Sequence, residues 1–229
     1  LIIKLLINCF INMNDNRIEK KFVLGKHKDD FVKKLLLSNG FNKQYPDRVI
    51  NSIYMDTVNY DFVKDNINGI SNRKKIRFRW YNQDLKKIYI EVKNKRNFNV
   101  WKNIEKIKPN IDEKSLIGYL KKNLNNIKFK YNNNFNNKLV LKTNYKRSYW
   151  LSNNKKIRAT IDINLNANSI NFLKKKIYFN DTILEFKFSP KDENYFRNFY
   201  LNKISYLRSQ KYSKYIKSFL ELENSGLIN

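Results

Sequence analysis

SNRKKIRFRWY, Ser71–Tyr81, carries five cations in eleven residues and still alternates as a strand does. Ile76, Phe78 and Trp80 share one parity, while Lys75, Arg77, Arg79 and Tyr81 share the other, so the segment predicts a strand with one apolar and one strongly basic face. Like charges set side by side repel unless an anion lies between them. The rest of the chain bears on what that anion is.

The same two-faced pattern recurs on both sides of this stretch. RIEKKFVL, residues 17–24, alternates Arg17, Glu19, Lys21 and Val23 against Ile18, Lys20, Phe22 and Leu24. VINSIYMDT, residues 49–57, reads as the next strand. KKIYIEVKNK sets Tyr89, Glu91, Lys93 and Lys95 against Ile88, Ile90 and Val92. Downstream, KLVLKTNYKRSYW carries Tyr145 and Arg147 on one face, IRATIDI carries Arg158, Thr160 and Asp162, and TILEFKF carries Glu185 and Lys187. A single such strand is the ordinary antiparallel case of one buried and one solvated face. Six of them, four with one carboxylate among the cations (Glu19, Glu91, Asp162, Glu185), make a different argument. If the sheet curls closed, its charged faces point inward only around something that neutralises them. A polyphosphate chain with a divalent cation meets that requirement, the cations holding phosphate oxygens and the carboxylates holding the metal.

Between the strands, DDFVKKLLLSNG predicts a short helix with Asp29 as its cap and Asn39-Gly40 as its stop. NYDFVKDNINGIS reads as a polar connection. IDEKSLIGYLKKNL, residues 111–124, has helical spacing, the asparagine-rich run 132–137 reads as a loop, and beyond Ser189-Pro190 the chain reads as helical to about Glu223. Residues 1–12 are expected to be a leader outside the fold, with residues 13–229 forming one domain. LIIKLLINCFI is too short to span a bilayer and holds Lys4, so no transmembrane segment is expected and the protein is read as soluble and cytoplasmic.

The 229 residues carry a formal net charge of +27 with 41% hydrophobic content, enough for a core and strongly suited to a polyanionic partner. Cys9 is the only cysteine, which excludes a disulfide framework. His27 is the lone histidine, which excludes histidine metal sites and Ser/His triads. The five glycines form neither a GxxxxGK loop nor a GxGxxG turn, so phosphate must be held by side chains. No nucleic-acid-binding motif is evident, and no specific nucleic acid is expected as a partner.

Taken in order, RIEKKF, SIYMDT, NRKKIRFRWY, IYIEVKNK, YKRSYW, IRATIDI, ILEFKF and YSKYI resemble the VTC domain, the polyphosphate polymerase branch of the CYTH-like triphosphate tunnel metalloenzymes, over nearly all of residues 16–220. The resemblance implies an α+β fold: an antiparallel closed β-barrel of about eight strands forming a basic tunnel, with helices outside and a C-terminal helical segment. By matching motif it implies phosphate-binding roles for Lys21, Arg77, Arg79, Lys93, Arg147 and Arg158, with Lys102 in VWKNIEK a looser match. Tyr145 resembles a phosphate-contacting tyrosine and Glu185 the metal-binding glutamate. Lys214 resembles a lysine that reaches the tunnel mouth and, with Arg77 and Arg79, takes the catalytic role. Lys75 and Arg73 belong to the same basic strand, and Lys187 and Lys95 have the matching parity. Where the sister CYTH branch opens with ExExK, this chain has Arg17 in the first acidic position, which suits the VTC variant.

The activity so implied is transfer of the terminal phosphoryl group of ATP to a growing polyphosphate chain, with Mn2+ or Mg2+ as cofactor and ATP and polyphosphate as partners. Two readings compete with it. The same cradle presenting water would make an inorganic or nucleoside triphosphatase, and the excess lysines alone would make a non-catalytic polyanion binder.

Overall fold

A computed structural model of the protein describes residues 11–14, 17–97, 99–130 and 136–228, with side chains for 17–97, 99–124 and 136–228. The first ten residues of the expected leader, and residues 132–135 of the asparagine-rich run, lie outside the described residues. Ten strands form one antiparallel sheet. They are β1 Ile11–Asn14, β2 Ile18–Leu24, β3 Phe41–Thr57, β4 Asn72–Tyr81, β5 Asp84–Arg96, β6 Asn99–Ile107, β7 Asn137–Ser152, β8 Ile157–Ser169, β9 Ile177–Tyr178 and β10 Thr182–Phe188. The helices are α1 Asp29–Ser38, α2 Asp61–Ile67, α3 Leu116–Lys130, α4 Glu193–Phe199 and α5 Lys214–Asn224. No described helix is long and apolar enough to cross a membrane.

The strands run in the order β1-β6-β5-β4-β3-β7-β8-β10-β2, with β9 beside β8. The expected closed barrel is therefore corrected: β1 and β2 end the hydrogen-bonded path instead of pairing with each other. The twist of so long a sheet, helped by register shifts along the β3–β7 pair, curls it until side chains from its far parts meet. Across that seam Glu19 on β2 lies 3.5 Å from Lys93 on β5. The outer edge of β2 is engaged by the chain leading into α5: the Gln210 N–H donates to the Lys21 carbonyl at 2.9 Å, and Phe22 bridges Ser209. Ile11 and Asn12, assigned to the leader, pair with Ile104 and Asn103 of β6.

Burial follows the alternation. Ile76, Phe78, Trp80, Ile88, Ile90 and Val92 face outward into a core closed by Phe62 of α2 and by Leu116 and Leu120 of α3. On the other half of the sheet, Phe22, Ile161, Leu184, Phe186 and Phe188 meet Val32 and Leu36 of α1 and Phe196 of α4. Both helix layers thus lie on the convex side and leave the charged faces on the concave side. A third cluster joins Tyr54 and Tyr145 on the concave side to Tyr215, Phe219 and Leu222 of α5, which closes one end of the trough.

Three elements depart from the sequence reading. β3 begins at Phe41, eight residues before the expected strand, because register shifts let it carry Pro46 and its polar neighbours. The NYDFVKDNINGIS connection contains α2, anchored by Asp56, which accepts from the Phe62 and Val63 N–H groups at 2.8 and 3.0 Å. The C-terminal helical run is broken between Tyr200–Ile204, a single π-type turn, and Lys214, leaving an extended strap at Ser209–Ser213.

Candidate active site

The concave face encloses a cavity of 280 Å³ lined by ten Lys and Arg side chains and three carboxylates. Its position follows from strand parity. Lys75, Arg77 and Arg79 reach it from β4, Glu91 and Lys93 from β5, Lys102 from β6, Tyr145 and Arg147 from β7, and Glu185 and Lys187 from β10. Glu19 and Lys21 enter from β2, and Lys214 from α5. The lining brings together every expected site residue except Arg158. That side chain, on the second residue of β8, is in register with Lys187 but exposed and outside the cavity lining, because it stands at the strand's start, next to the exposed turn that precedes it.

The carboxylates are the hubs of the charge network. Glu91 receives Arg77 Nε and Nη2 at 2.6 Å, Lys102 Nζ at 2.8 Å and Arg79 Nη1 at 3.4 Å. Burial opposes its ionisation, but those three cations outweigh it and hold its pKa well below the usual carboxylate range. Asp162 takes a two-pronged contact from Arg147 at 2.6 and 2.7 Å and a 2.6 Å contact from Lys214. Lys187 bridges two acids, 2.8 Å from Glu19 and 3.2 Å from Glu185, while Arg147 Nη2 lies 3.9 Å from Glu185.

Lys75 is crowded by like charges more than it is matched by opposite ones. Lys75 donates to Ser213 Oγ at 2.9 Å and Lys21 to the Tyr212 carbonyl at 3.1 Å, neither partner carrying charge. Burial, then the proximity of Lys21 and Lys93, pushes Lys75 down to about 7. Burial brings Lys102 to about 8 in spite of Glu91. Around Tyr145 burial raises the phenol, yet Arg147, Arg79 and Lys214 lower it on balance, and its hydroxyl accepts from Arg79 Nη2 at 3.4 Å.

No group of three or more acidic, histidine or cysteine side chains among the described residues forms a ready metal cage. The donor set nonetheless suits a hard cation of the Mg2+ or Mn2+ type, which is held by one or two carboxylates together with phosphate oxygens. Glu185 and Glu19 sit on adjacent strands and already share one cationic partner, Lys187.

Sequence reasoning missed four aromatic and hydroxyl positions in the lining: Tyr54, Tyr212, Ser213 and Tyr215. Tyr54 accepts from Arg77 Nη1 at 3.2 Å and stacks on Tyr215, with centroids 4.5 Å apart. Its place in SIYMDT, two residues from Ser52 on the same face, was the available signal; the other three depend on how α5 docks.

A family model described as the VTC domain matches residues 16–222. Among solved structures, a candidate adenylyl cyclase from Hippeastrum, described as having a dominant triphosphatase activity, superposes with a TM-score of 0.50 at 13% identity, covering 93% of this chain and 98% of that one. At that identity it shows a shared fold. A candidate adenylate cyclase from Vibrio parahaemolyticus gives 0.49 at 12% identity over 91% of this chain and 99% of that one. A protein from Pyrococcus horikoshii gives 0.45 at 17% identity over 91% and 99%. No curated protein matches the chain.

Proposed function

The chain belongs to the VTC domain family of triphosphate tunnel proteins, and from that membership we propose that it is a polyphosphate polymerase, moving the terminal phosphoryl group of ATP onto a growing polyphosphate chain within the basic cavity. The observation that carries the reading is the imbalance of ten cations against three carboxylates in one enclosed lining. Such an excess favours binding of a polyanion even with Asp162 holding Arg147 and Lys214, and a row of cations along several strands suits a chain of phosphates.

Arg77, Arg79 and Arg147 are the clamps: the planar guanidinium offers two parallel hydrogen bonds to phosphate oxygens. Lys21, Lys75, Lys93, Lys102 and Lys187 add point charges around them. Lys214, held between Asp162 and the Tyr145 ring, whose centroid is 4.5 Å from Nζ, is placed to orient the acceptor's terminal phosphate. An oxygen of that phosphate forms the new bond to the γ-phosphorus as the bond to the β–γ bridging oxygen breaks, and ADP leaves with the electron pair. The attacking oxygen is already ionised near neutral pH, so no side chain has to take a proton. Positioning and charge stabilisation then supply the acceleration. Glu185 and Glu19 are the residues that would hold a divalent ion, whose contribution would be to offset phosphate charge.

The test is to incubate the protein with ATP and Mn2+ or Mg2+ and resolve the products on a gel. A polymerase yields a ladder that exopolyphosphatase removes. Orthophosphate released from the start without a ladder would replace the reading by triphosphatase, the activity described for the Hippeastrum neighbour. Tight polyphosphate binding without turnover would replace it by passive binding.

A further inference from the structure

Beyond Arg79 and Arg147 the concave face changes character. Two residues further along β4 and β7 stand Tyr81 and Tyr149, β5 contributes Tyr89 in register with Arg79, and β3 contributes Arg48 in register with Arg147. The Arg48 guanidinium carbon lies 5.7 Å from the Tyr45 centroid, 5.8 Å from Tyr81 and 5.7 Å from Tyr149. Tyr45 and Tyr149 meet edge to face at 6.0 Å, and Tyr81 and Tyr89 at 5.9 Å. Among the described residues no carboxylate lies within ion-pair reach of Arg48, which is exposed, as is Tyr45 at 56%. The trough therefore ends here in a collar of π faces around one cation.

The other end differs in kind. Beside the Ser209–Ser213 strap a second cavity of 970 Å³ is lined by Lys20, Arg73, Lys95 and Lys211 among others, and Tyr212 is its sole aromatic lining residue. Two buried polar atoms next to collar residues have no hydrogen-bond partner: Arg79 Nε, on the clamp residue in register with Tyr89, and Thr160 Oγ1, opposite Tyr149 in register. Arg79 itself is only 8% exposed. An unpartnered guanidinium nitrogen beside a ring of tyrosines is what a ligand bearing both phosphate and a planar ring system would satisfy.

We propose that the collar of Tyr45, Tyr81, Tyr89 and Tyr149 around Arg48 seats the nucleobase of the donor nucleotide. The inference rests on reading the cavity as a nucleoside triphosphate site and adds the direction of entry: the nucleoside lies at the tyrosine end and the phosphate chain extends toward the lysine-lined cavity. Tyrosine and arginine planes are the platforms on which bases stack without hydrogen-bond readout, so the collar would accept several bases with modest discrimination.

The experiment compares calorimetric affinities for ATP and for inorganic tripolyphosphate, which has the phosphates without the base. In the Tyr81→Leu/Tyr149→Leu double variant, ATP affinity should fall about ten-fold or more, while tripolyphosphate affinity stays within about two-fold of the parent. Tyr149→Phe, which keeps the ring, should bind both as the parent does. Arg48→Gln, at an exposed position, should repeat the selective loss and supplies the test if the double variant fails to fold. Equal losses for both ligands, or no loss for ATP, would overturn the collar while leaving the cavity assignment standing. A parent that binds neither ligand would remove the cavity assignment and the collar with it.

Discussion

Arg77 and Arg79 carry the largest share of the proposed chemistry at the scale of single residues. Replacing either by alanine removes a donor from the phosphate clamp but leaves Ile76, Phe78 and Trp80 in the outer core, and leaves Glu91 paired with Lys102 and the remaining arginine. Turnover should fall by about 10²–10³-fold, the usual cost of one preorganised charge-stabilising donor, with the circular dichroism spectrum unchanged. Lys34→Ala, on the exposed side of α1, should keep parental turnover and serves as the control. Lys75 makes a separate prediction through its proton. With a pKa of about 7 against 10.5 as the ordinary value, it is largely neutral at pH 8. A bound polyanion favours its charged form, so tripolyphosphate binding at pH 8 should take up protons, and affinity should decline as pH rises above 7. Calorimetry in buffers of different ionisation heat reads the uptake, which should shrink in Lys75→Met. The same shift has a stability sign. The penalty of a charged Lys75 is full below pH 7 and is relieved as pH climbs toward 10.5, where the unfolded chain also gives up the proton.

At the scale of elements, α5 and the strap before it decide how the trough ends. Tyr215 donates to the buried Asp56 at 2.7 Å and stacks on Tyr54, which in turn accepts from Arg77, so the helix that presents Lys214 is fixed to Arg77 and the sheet through three contacts. Tyr215→Phe deletes one donor to a buried carboxylate and should cost about 1–3 kcal/mol. Thermal unfolding should show it at about 2–4 °C per kcal/mol for a chain of this size. An unchanged melting temperature would mean that α5 is held by its apolar face alone. The strands themselves were legible in sequence because alternation survives wherever one face meets a helix and the other meets charge, as in β4, β5 and β10. What was hidden lay where local pattern is overruled from a distance. The first half of β3 gave no strand pattern because its register shifts break the alternation. The seven residues of α2 are too few for a periodic signal, and their anchor, Asp56, belongs to the preceding strand.

For the molecule as a whole, the formal charge of +27 sets the balance between folding and binding. Cations gathered on the concave face repel one another when no anion is present, so a polyanion that binds only the folded state should stabilise it strongly. Tripolyphosphate at about a hundred times its dissociation constant should add ~2.7 kcal/mol, read as a rise in melting temperature that sodium chloride of matched ionic strength does not reproduce. An equal rise with the salt would assign the effect to general screening. The inward gathering of the charged faces was foreseeable from six repeats of one pattern, and it placed all the expected site residues but Arg158 in the cavity lining. That the sheet stays open, against the expected closed barrel, was not foreseeable, because it depends on edges: β2 meets the Ser209–Gln210 strap, and the seam toward β5 is bridged by Glu19 and Lys93. The tyrosine collar escaped notice for a related reason, since it gathers residues from four strands that have no common local signal.

The most direct measurement of the central claim is a crystal structure of the protein with tripolyphosphate and Mn2+. The account predicts phosphate oxygens within hydrogen-bond distance of Arg77, Arg79 and Arg147 in the 280 Å³ cavity, the ion beside Glu185, and Lys75 turned from Ser213 toward phosphate. Tripolyphosphate bound only on the outer surface, with the Arg77–Glu91 and Arg147–Asp162 pairs undisturbed and the cavity filled by water, would contradict it.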